Sequence, residues 1–267
     1  MSLIISGKMK TFRTFYDFDD LKSHVEEFYS GKKIGLVPTM GALHMGHLSL
    51  VERASKENDF VIVTIFVNPK QFNNKSDLNS YPRTIKRDMA LLATFSNVAI
   101  CIPKENSVYP EPDPYLGVDL GHLDQVLEGC YRPGHFEGVS HVVHNLFYLT
   151  KPSSAYFGLK DIQQFAIIQK MNETTGLNID LIGCPTIRSK EGLALSSRNE
   201  KLSNEGLQQA LMIIKTLRFV EKNKKQYNPV DLKNKAIELF ENGDLKLEYL
   251  DIVNAKTFKQ IESFEEP

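Results

Sequence analysis

The spacing of apolar residues changes several times along the chain, and each change marks an element. Between Phe18 and Tyr29, Leu21, Val25 and Phe28 recur at helical spacing and stop at Gly31, which predicts a first helix. Residues 33–37 read as a short apolar strand, after which Leu48, Val51 and Ala54 return to helical spacing. Residues 61–67 form a β-branched run without alternation, the pattern of a strand buried on both faces of a parallel sheet. The polar stretch 73–80 predicts a mobile loop, and Tyr81-Pro82-Arg83-Thr84 opens a helix with Ile85, Met89 and Leu92 inward. A third strand at 98–102, a helix at 140–150 and a short strand at 155–158 follow. Ile162, Phe165, Ile168 and Met171 then line one helix that Gly176 closes, and 179–184 is a last strand. Strands alternating with helices predict an α/β fold on a parallel sheet.

After Asn199 the pattern is mostly helical. Ser203 can cap a helix carrying Leu207, Ala210, Leu211, Ile214 and Leu217 on one stripe. Asn228-Pro229 opens another, with Leu232, Ala236, Leu239 and Phe240 leading to Gly243. Leu247 and Tyr249 alternate as a strand, and Leu250 and Ile252 shift phase by one, which predicts a bulge. The expectation is therefore two units: residues 1–185 around the sheet, and a smaller α+β lid domain at 186–267.

Composition narrows the class. The 267 residues are 42% hydrophobic and 24% charged, with a net charge of -1 and a pI near 6.7, which argues against a surface that coats nucleic acid. No apolar run approaches a membrane span, and the N-terminus shows no secretory apolar region, so no membrane partner is expected. Cys101, Cys130 and Cys184 form no C-x-x-C pair, which points to a reducing, cytoplasmic setting without a structural metal. Met9 offers an alternative start to Met1.

The densest chemistry lies in Val37-Pro38-Thr39-Met40-Gly41-Ala42-Leu43-His44-Met45-Gly46-His47. A strand, a tight glycine turn and a helix start present unpaired backbone N–H groups and a positive dipole end, a natural seat for phosphate. His44 and His47 share one face of that first turn, and Gly46 lets a ligand approach the backbone. Two blander readings stand beside this one: a solvated helix start, and a zinc pair short of ligands. Asn68 and Gln71 follow the 61–67 strand, at the end of a sheet where ligands bind, although Asn-Pro could simply turn the chain. Asp88 reads as a solvated first-turn acid or a magnesium contact, on a different helix face from Ile85, Met89 and Leu92. Arg132 and His135 could touch phosphate or pin their loop, the second being favoured. Lys160 could meet a phosphate and Asp161 a ribose hydroxyl, while Ser196-Ser197-Arg198 offers two hydroxyls and a guanidinium to a polyphosphate.

H-x-G-H after a first strand is the mark of a nucleotidyltransferase superfamily, and the string Pro38 to His47 closely resembles that of the pantothenate synthetase family. Four further strings resemble the same family: Phe66-Val67-Asn68-Pro69-Lys70-Gln71-Phe72, Glu128 to Val139, Phe157 to Gln164, and Leu195 to Asn199. Together they span roughly residues 34–255. The resemblance implies a Rossmann-like domain that binds ATP and pantoate, and condensation of pantoate with β-alanine through a pantoyl adenylate, releasing AMP and pyrophosphate. It places ATP on Met40, Gly41, Ala42, Leu43, His44, Met45, Gly46, His47, Gly158, Leu159, Lys160, Asp161, Ile187, Leu195, Ser196, Ser197 and Arg198. It places pantoate and β-alanine on Asn68, Gln71 and Gln164, and magnesium on Asp88. His44, His47, Lys160 and Arg198 are the implied catalytic residues, His47 foremost, and a homodimer is implied.

Departures accompany the resemblance. Leu159 stands where the family has Glu, Met89 where a second acid is usual, and His141 and Asn145 where Thr and Lys are usual. Family members usually continue past Pro267, so the lid's last elements are expected to be missing. A nucleotidylyltransferase that leaves AMP on its product, or a non-catalytic ATP-binding relative, are the alternatives.

Overall fold

The computed structural model describes residues 13–265; Met9 lies outside them. The first element is a strand that the periodicity does not announce, β1 (Arg13–Phe15), because three residues are too few to show a period. Next come α1 (Phe18–Tyr29), β2 (Ile34–Thr39), α2 (Met45–Glu57) and β3 (Phe60–Ile65). Then follow α3 (Lys75–Ser80), α4 (Ile85–Leu92), β4 (Val98–Cys101), α5 (Glu105–Val108), α6 (Glu128–Tyr131) and α7 (His135–Thr150). The sheet continues with β5 (Ser154–Gly158), α8 (Ile162–Thr175) and β6 (Asp180–Cys184), and α9 (Asn204–Asn223) and α10 (Pro229–Glu241) follow.

The six strands among the described residues are all parallel, in the order β1-β4-β3-β2-β5-β6. One face of the sheet packs beneath α1, α7 and α8, with Leu21, Phe147 and Ile168 in its core. The other packs beneath α2 and α4, with Val51, Ala54 and Leu92. Val61, Ile62 and Val63 alternate between these two cores and all lie at 0% exposure, so the unbroken β-branched run is explained by burial on both sides. From β2 the chain winds towards β3, and from β5 towards β6, so the two central neighbours diverge. Their carboxyl ends open the crevice in which such sheets bind ligands.

Several local expectations need correcting. Residues 75–80 are a short helix capped by the Asn74 side chain, not a loop. On α4 Leu92 and Met89 face the core as expected, but Ile85 is exposed and Asp88 is fully buried. Helix α7 begins at His135, five residues early, because Gly134 supplies a left-handed N-cap at φ 78°. Ile162 is exposed, so Phe165, Ile168 and Met171 anchor α8 without it. Residues 247–252 form no strand; in this region the described residues show only an isolated bridge between Val253 and Gln260. The caps at Ser203 and Asn228 are present, α9 and α10 pack on each other, and Ala210, Ile214, Leu232, Ala236 and Phe240 are their buried apolar residues. No helix among the described residues is long and apolar enough to cross a membrane.

Candidate active site

The site is built on the turn that leaves β2. Thr39 Oγ1 donates to the Thr64 carbonyl at 2.8 Å and accepts from Gly41 N at 3.2 Å. Gly41 and Ala42 then take left-handed backbone, at φ 80° and 50°. The strain at Ala42 is held from α4: Asp88 accepts from Ala42 N at 3.0 Å, from Leu43 N at 2.9 Å and from Thr84 Oγ1 at 3.0 Å. A buried carboxylate is tolerated only when its oxygens are satisfied in this way. Asp88 therefore anchors the turn rather than standing in solvent.

That anchorage changes what the helix start can offer. Two backbone donors of the preceding turn, Ala42 N and Leu43 N, are consumed by Asp88. His44 N points to His47 Nδ1 at 3.4 Å, and Gly46 N donates to His44 Nδ1 at 3.1 Å. Each imidazole thus accepts at Nδ1, and its neutral form carries the proton on Nε2. The rings lie 4.1 Å apart. Burial, with the neighbouring His44 and the Lys160 ammonium, pushes His47 down to about 3, and burial followed by Lys160 lowers His44. Both are neutral donors near neutral pH. Gly46 makes this packing feasible: a Cβ there would stand 2.8 Å from His44 Cε1, so the glycine makes room for the ring rather than for a ligand.

A cavity of about 550 Å³ opens beyond β2 and β5. Met40, His44, Gly46, His47, Asn68, Gln71, Gly158, Lys160, Asp161, Gln164, Ile187, Leu195, Ser196, Ser197 and Arg198 border it, so most of the expected residues converge. Gly41, Ala42, Leu43, Met45 and Leu159 do not border it. Leu43 is buried in the core, Met45 faces outward, and Leu159 packs against Gly183, where a Cβ would lie 2.7 Å from Leu159 Cδ2. Lys160 is paired with Asp161 at 3.0 Å. Arg198 meets Asp77 at 2.8 Å and lies 5.7 Å above the Tyr81 ring, while Ser197 donates to the Ala42 carbonyl at 3.2 Å.

Asn68 is a buried support. It receives the Tyr109 hydroxyl at 2.6 Å and donates to Gly138 O and Gln71 Oε1, both at 3.1 Å. His135 Nδ1 lies 2.8 Å from the Gln71 carbonyl. His141 and Asn145, two departures from the expected string, both bind Asp113, at 2.6 and 3.0 Å, and so fasten the Pro-rich loop.

Sequence reasoning missed the cavity's apolar wall of Val139, Val142, Val143 and Leu146 on α7, and also Tyr81 and Tyr249. The wall is legible afterwards as a helix apolar on more than one side. Tyr249 has no local signal: it arrives from the 247–252 segment, stacks on Tyr131 at 5.2 Å and bonds Glu128 at 3.3 Å.

Comparison with known proteins agrees with this architecture. The family model for pantoate-beta-alanine ligase matches residues 13–266. A pantothenate synthetase of Phocaeicola vulgatus is 45% identical over 251 residues, covering 92% of this chain and 88% of its own. One of Porphyromonas gingivalis is 42% identical over 259 residues, covering 97% and 91%. A crystal structure of pantothenate synthetase from Thermus thermophilus superposes with a TM-score of 0.88 at 37% identity, covering 95% of this chain and 91% of that one. A Francisella tularensis pantoate-beta-alanine ligase, complexed with beta-gamma ATP and beta-alanine, gives 0.78 at 36% identity, covering 91% and 90%.

Proposed function

The chain belongs to the pantoate–beta-alanine ligase family, and from that premise we propose how its own residues divide the reaction. The enzyme condenses pantoate with β-alanine using ATP, forming an amide bond and AMP. In the first step the pantoate carboxylate attacks the α-phosphate and pyrophosphate leaves, giving pantoyl adenylate. In the second the β-alanine amine attacks the acyl carbon and AMP leaves. The first step asks little bond chemistry of the protein; it asks for alignment and for donors where phosphate charge grows.

His44 and His47 supply neutral Nε2–H donors, Lys160 a cation, and Ser196 and Arg198 a clamp opposite them, with Ser197 tying that loop to the Ala42 carbonyl. Gln71 and Gln164 orient pantoate without repelling its carboxylate, and the α7 wall accommodates its apolar part. The observation that carries this assignment is the paired capping of His44 and His47, which fixes both protons on the nitrogens left free. Magnesium enters as the counter-ion of ATP, which supplies the metal with phosphate oxygens and water. That reading fits the donors present: no group of three His, Cys, Asp or Glu among the described residues could hold a metal, and Asp88 is committed to the turn. Residues 186–267 act as the lid that brings Ser196–Arg198 over the phosphates. Family membership further supports a cytoplasmic homodimer.

Pyrophosphate exchange into ATP tests the assignment. Exchange should require pantoate and magnesium but not β-alanine. Exchange that begins only when β-alanine is added would overturn the stepwise route.

A further inference from the structure

The second step needs something that the donors of the first cannot give. At neutral pH β-alanine carries an ammonium group, which has no lone pair with which to attack an acyl carbon. His44 and His47 use their Nδ1 lone pairs on backbone N–H groups and hold protons on Nε2, so neither can accept another without losing its cap. The acids at the cavity are engaged as well. Asp161 pairs with Lys160 at 3.0 Å, and Glu128 with Arg132 at 3.6 Å and the Tyr249 hydroxyl at 3.3 Å.

His135 has the opposite tautomer. Its Nδ1 lies 2.8 Å from the Gln71 carbonyl, an atom that can only accept, so Nδ1 carries the proton and Nε2 the lone pair. Nε2 has no hydrogen-bond partner among the described residues and is not one of their fully buried unpartnered atoms, and His135 borders the cavity. The lone pair is therefore open to that space. The contact also ties it to the substrate: the carbonyl that orients the ring belongs to Gln71, the residue assigned to pantoate. Burial, ahead of the nearby Arg132 guanidinium, lowers His135 from the ordinary imidazole value and keeps the base unprotonated near neutral pH.

We propose that His135 Nε2 is the general base of amide formation, taking the proton that frees the β-alanine amine. The inference rests on the pantoate–β-alanine reading of the site. The ammonium gives one proton to Nε2. Its nitrogen lone pair forms the C–N bond to the acyl carbon, and the C–O bond to the phosphate breaks with its electron pair leaving on AMP. The nitrogen's second surplus proton departs with the AMP phosphate, leaving a neutral amide.

The test separates the two half-reactions in His135→Asn, whose side-chain amide can still donate to the Gln71 carbonyl but has no basic lone pair. Pantoate-dependent pyrophosphate exchange reads the first step, and AMP release from preformed adenylate reads the second. A general base is worth on the order of a hundredfold or more. AMP release to β-alanine should therefore slow at least about thirtyfold more than exchange does. Hydroxylamine, which is largely uncharged at neutral pH, should release AMP at close to the parent rate. A differential below thirtyfold, or an equal fall with hydroxylamine, would reduce His135 to a support for Gln71 and overturn the proposal. His135→Gln is judged by the same criterion if His135→Asn does not fold. A parent enzyme without pantoate-dependent exchange would instead overturn the reading on which the proposal stands.

Discussion

Asp88 stands 46 residues from Ala42, yet its Oδ2 takes the Ala42 N–H at 3.0 Å while Oδ1 takes that of Leu43 at 2.9 Å. One carboxylate on α4 thereby fixes a left-handed turn on the far side of β3, and with it the start of the helix that carries both site histidines. Asp88→Asn keeps one acceptor oxygen but turns an NH2 group towards a backbone N–H. Hydrogen bonds to charged groups contribute about 1.5–3 kcal/mol each, so we expect a loss of roughly 2–4 kcal/mol in urea denaturation and a marked fall in exchange. The residual exchange should keep the parent's magnesium dependence. A variant of parental stability that needs much more magnesium would restore the metal role.

His47 makes stability depend on pH. Its pKa is 6.5 as a free side chain and about 3 in the fold. Between those values the unfolded chain binds a proton that the folded chain does not, so stability rises with pH across that window. It falls as the solution is acidified from about 6.5 towards 3. His47→Gln should flatten the curve by up to about 1.4 kcal/mol per pH unit within the window, read as urea midpoints at pH 4.5 and 6. Unchanged slopes would show that the ring is readily hydrated.

The same residue bears on catalysis. Losing a donor that acts on developing charge costs about 3 kcal/mol, a hundredfold or more in rate. His47→Ala should therefore slow adenylation far more than it weakens pantoate binding. Adenylation within threefold of the parent would end the assignment.

What the sequence made legible follows from how local each signal is. The β-branched run, the Ser203 and Asn228 caps and the H-x-G-H turn are each encoded within a few residues; the caps and the turn stand where the pattern puts them, and the strand covers Phe60–Ile65, two residues short of the run's end at Val67. The burial of Asp88 is not legible locally because two of its partners lie 45 and 46 residues away, and a helix with one buried acid resembles one with a solvated acid. Tyr249 and the α7 wall belong to the site only through tertiary packing. Leu159 is a further case: its string suggested a ligand contact, but its side chain fills space beside Gly183.

Arg198 is held by Asp77 at 2.8 Å on the surface side of the cleft, with Arg87 and Glu200 paired nearby at 2.8 Å. An incoming phosphate must compete with the Asp77 carboxylate for that guanidinium. Exposed pairs of this kind contribute only about 0–1 kcal/mol, so Asp77→Ala should lower the KM for ATP by up to about fivefold, with little change in stability. A raised KM would mean that Asp77 positions Arg198 for phosphate instead of competing for it.

Lys160 and Leu159 can be separated in the same way. Leu159 points to Gly183 and Lys160 pairs with Asp161, so the lysine does not depend on its neighbour's side chain. Leu159→Glu should change single-turnover adenylation by less than about tenfold, because a partly exposed charge adds little. Lys160→Ala should cost about a hundredfold or more through lost phosphate stabilisation. A nearly silent Lys160→Ala would remove that lysine from the phosphate site.

Gly138 offers the sharpest steric test of how Gln71 is held. A Cβ at Gly138 would lie 2.4 Å from Lys70 O, 2.6 Å from Lys70 C and 2.8 Å from Gln71 N. These are backbone atoms, so no side-chain rotation relieves the clash, and the turn at Pro69–Gln71 must move away from α7. That movement stretches two contacts at once, Asn68 Nδ2 to Gly138 O at 3.1 Å and His135 Nδ1 to Gln71 O at 2.8 Å. Overpacking a tight site costs about 1–3 kcal/mol, so Gly138→Ala should fold with reduced stability. Because the displaced residue is the one assigned to pantoate, its KM for pantoate should rise by about tenfold or more while that for ATP changes little. A displacement of under an ångström suffices for such losses when the orienting group moves. Equal rises in both KM values would show a general loosening of the cleft, and a parental KM for pantoate would take Gln71 out of the pantoate site.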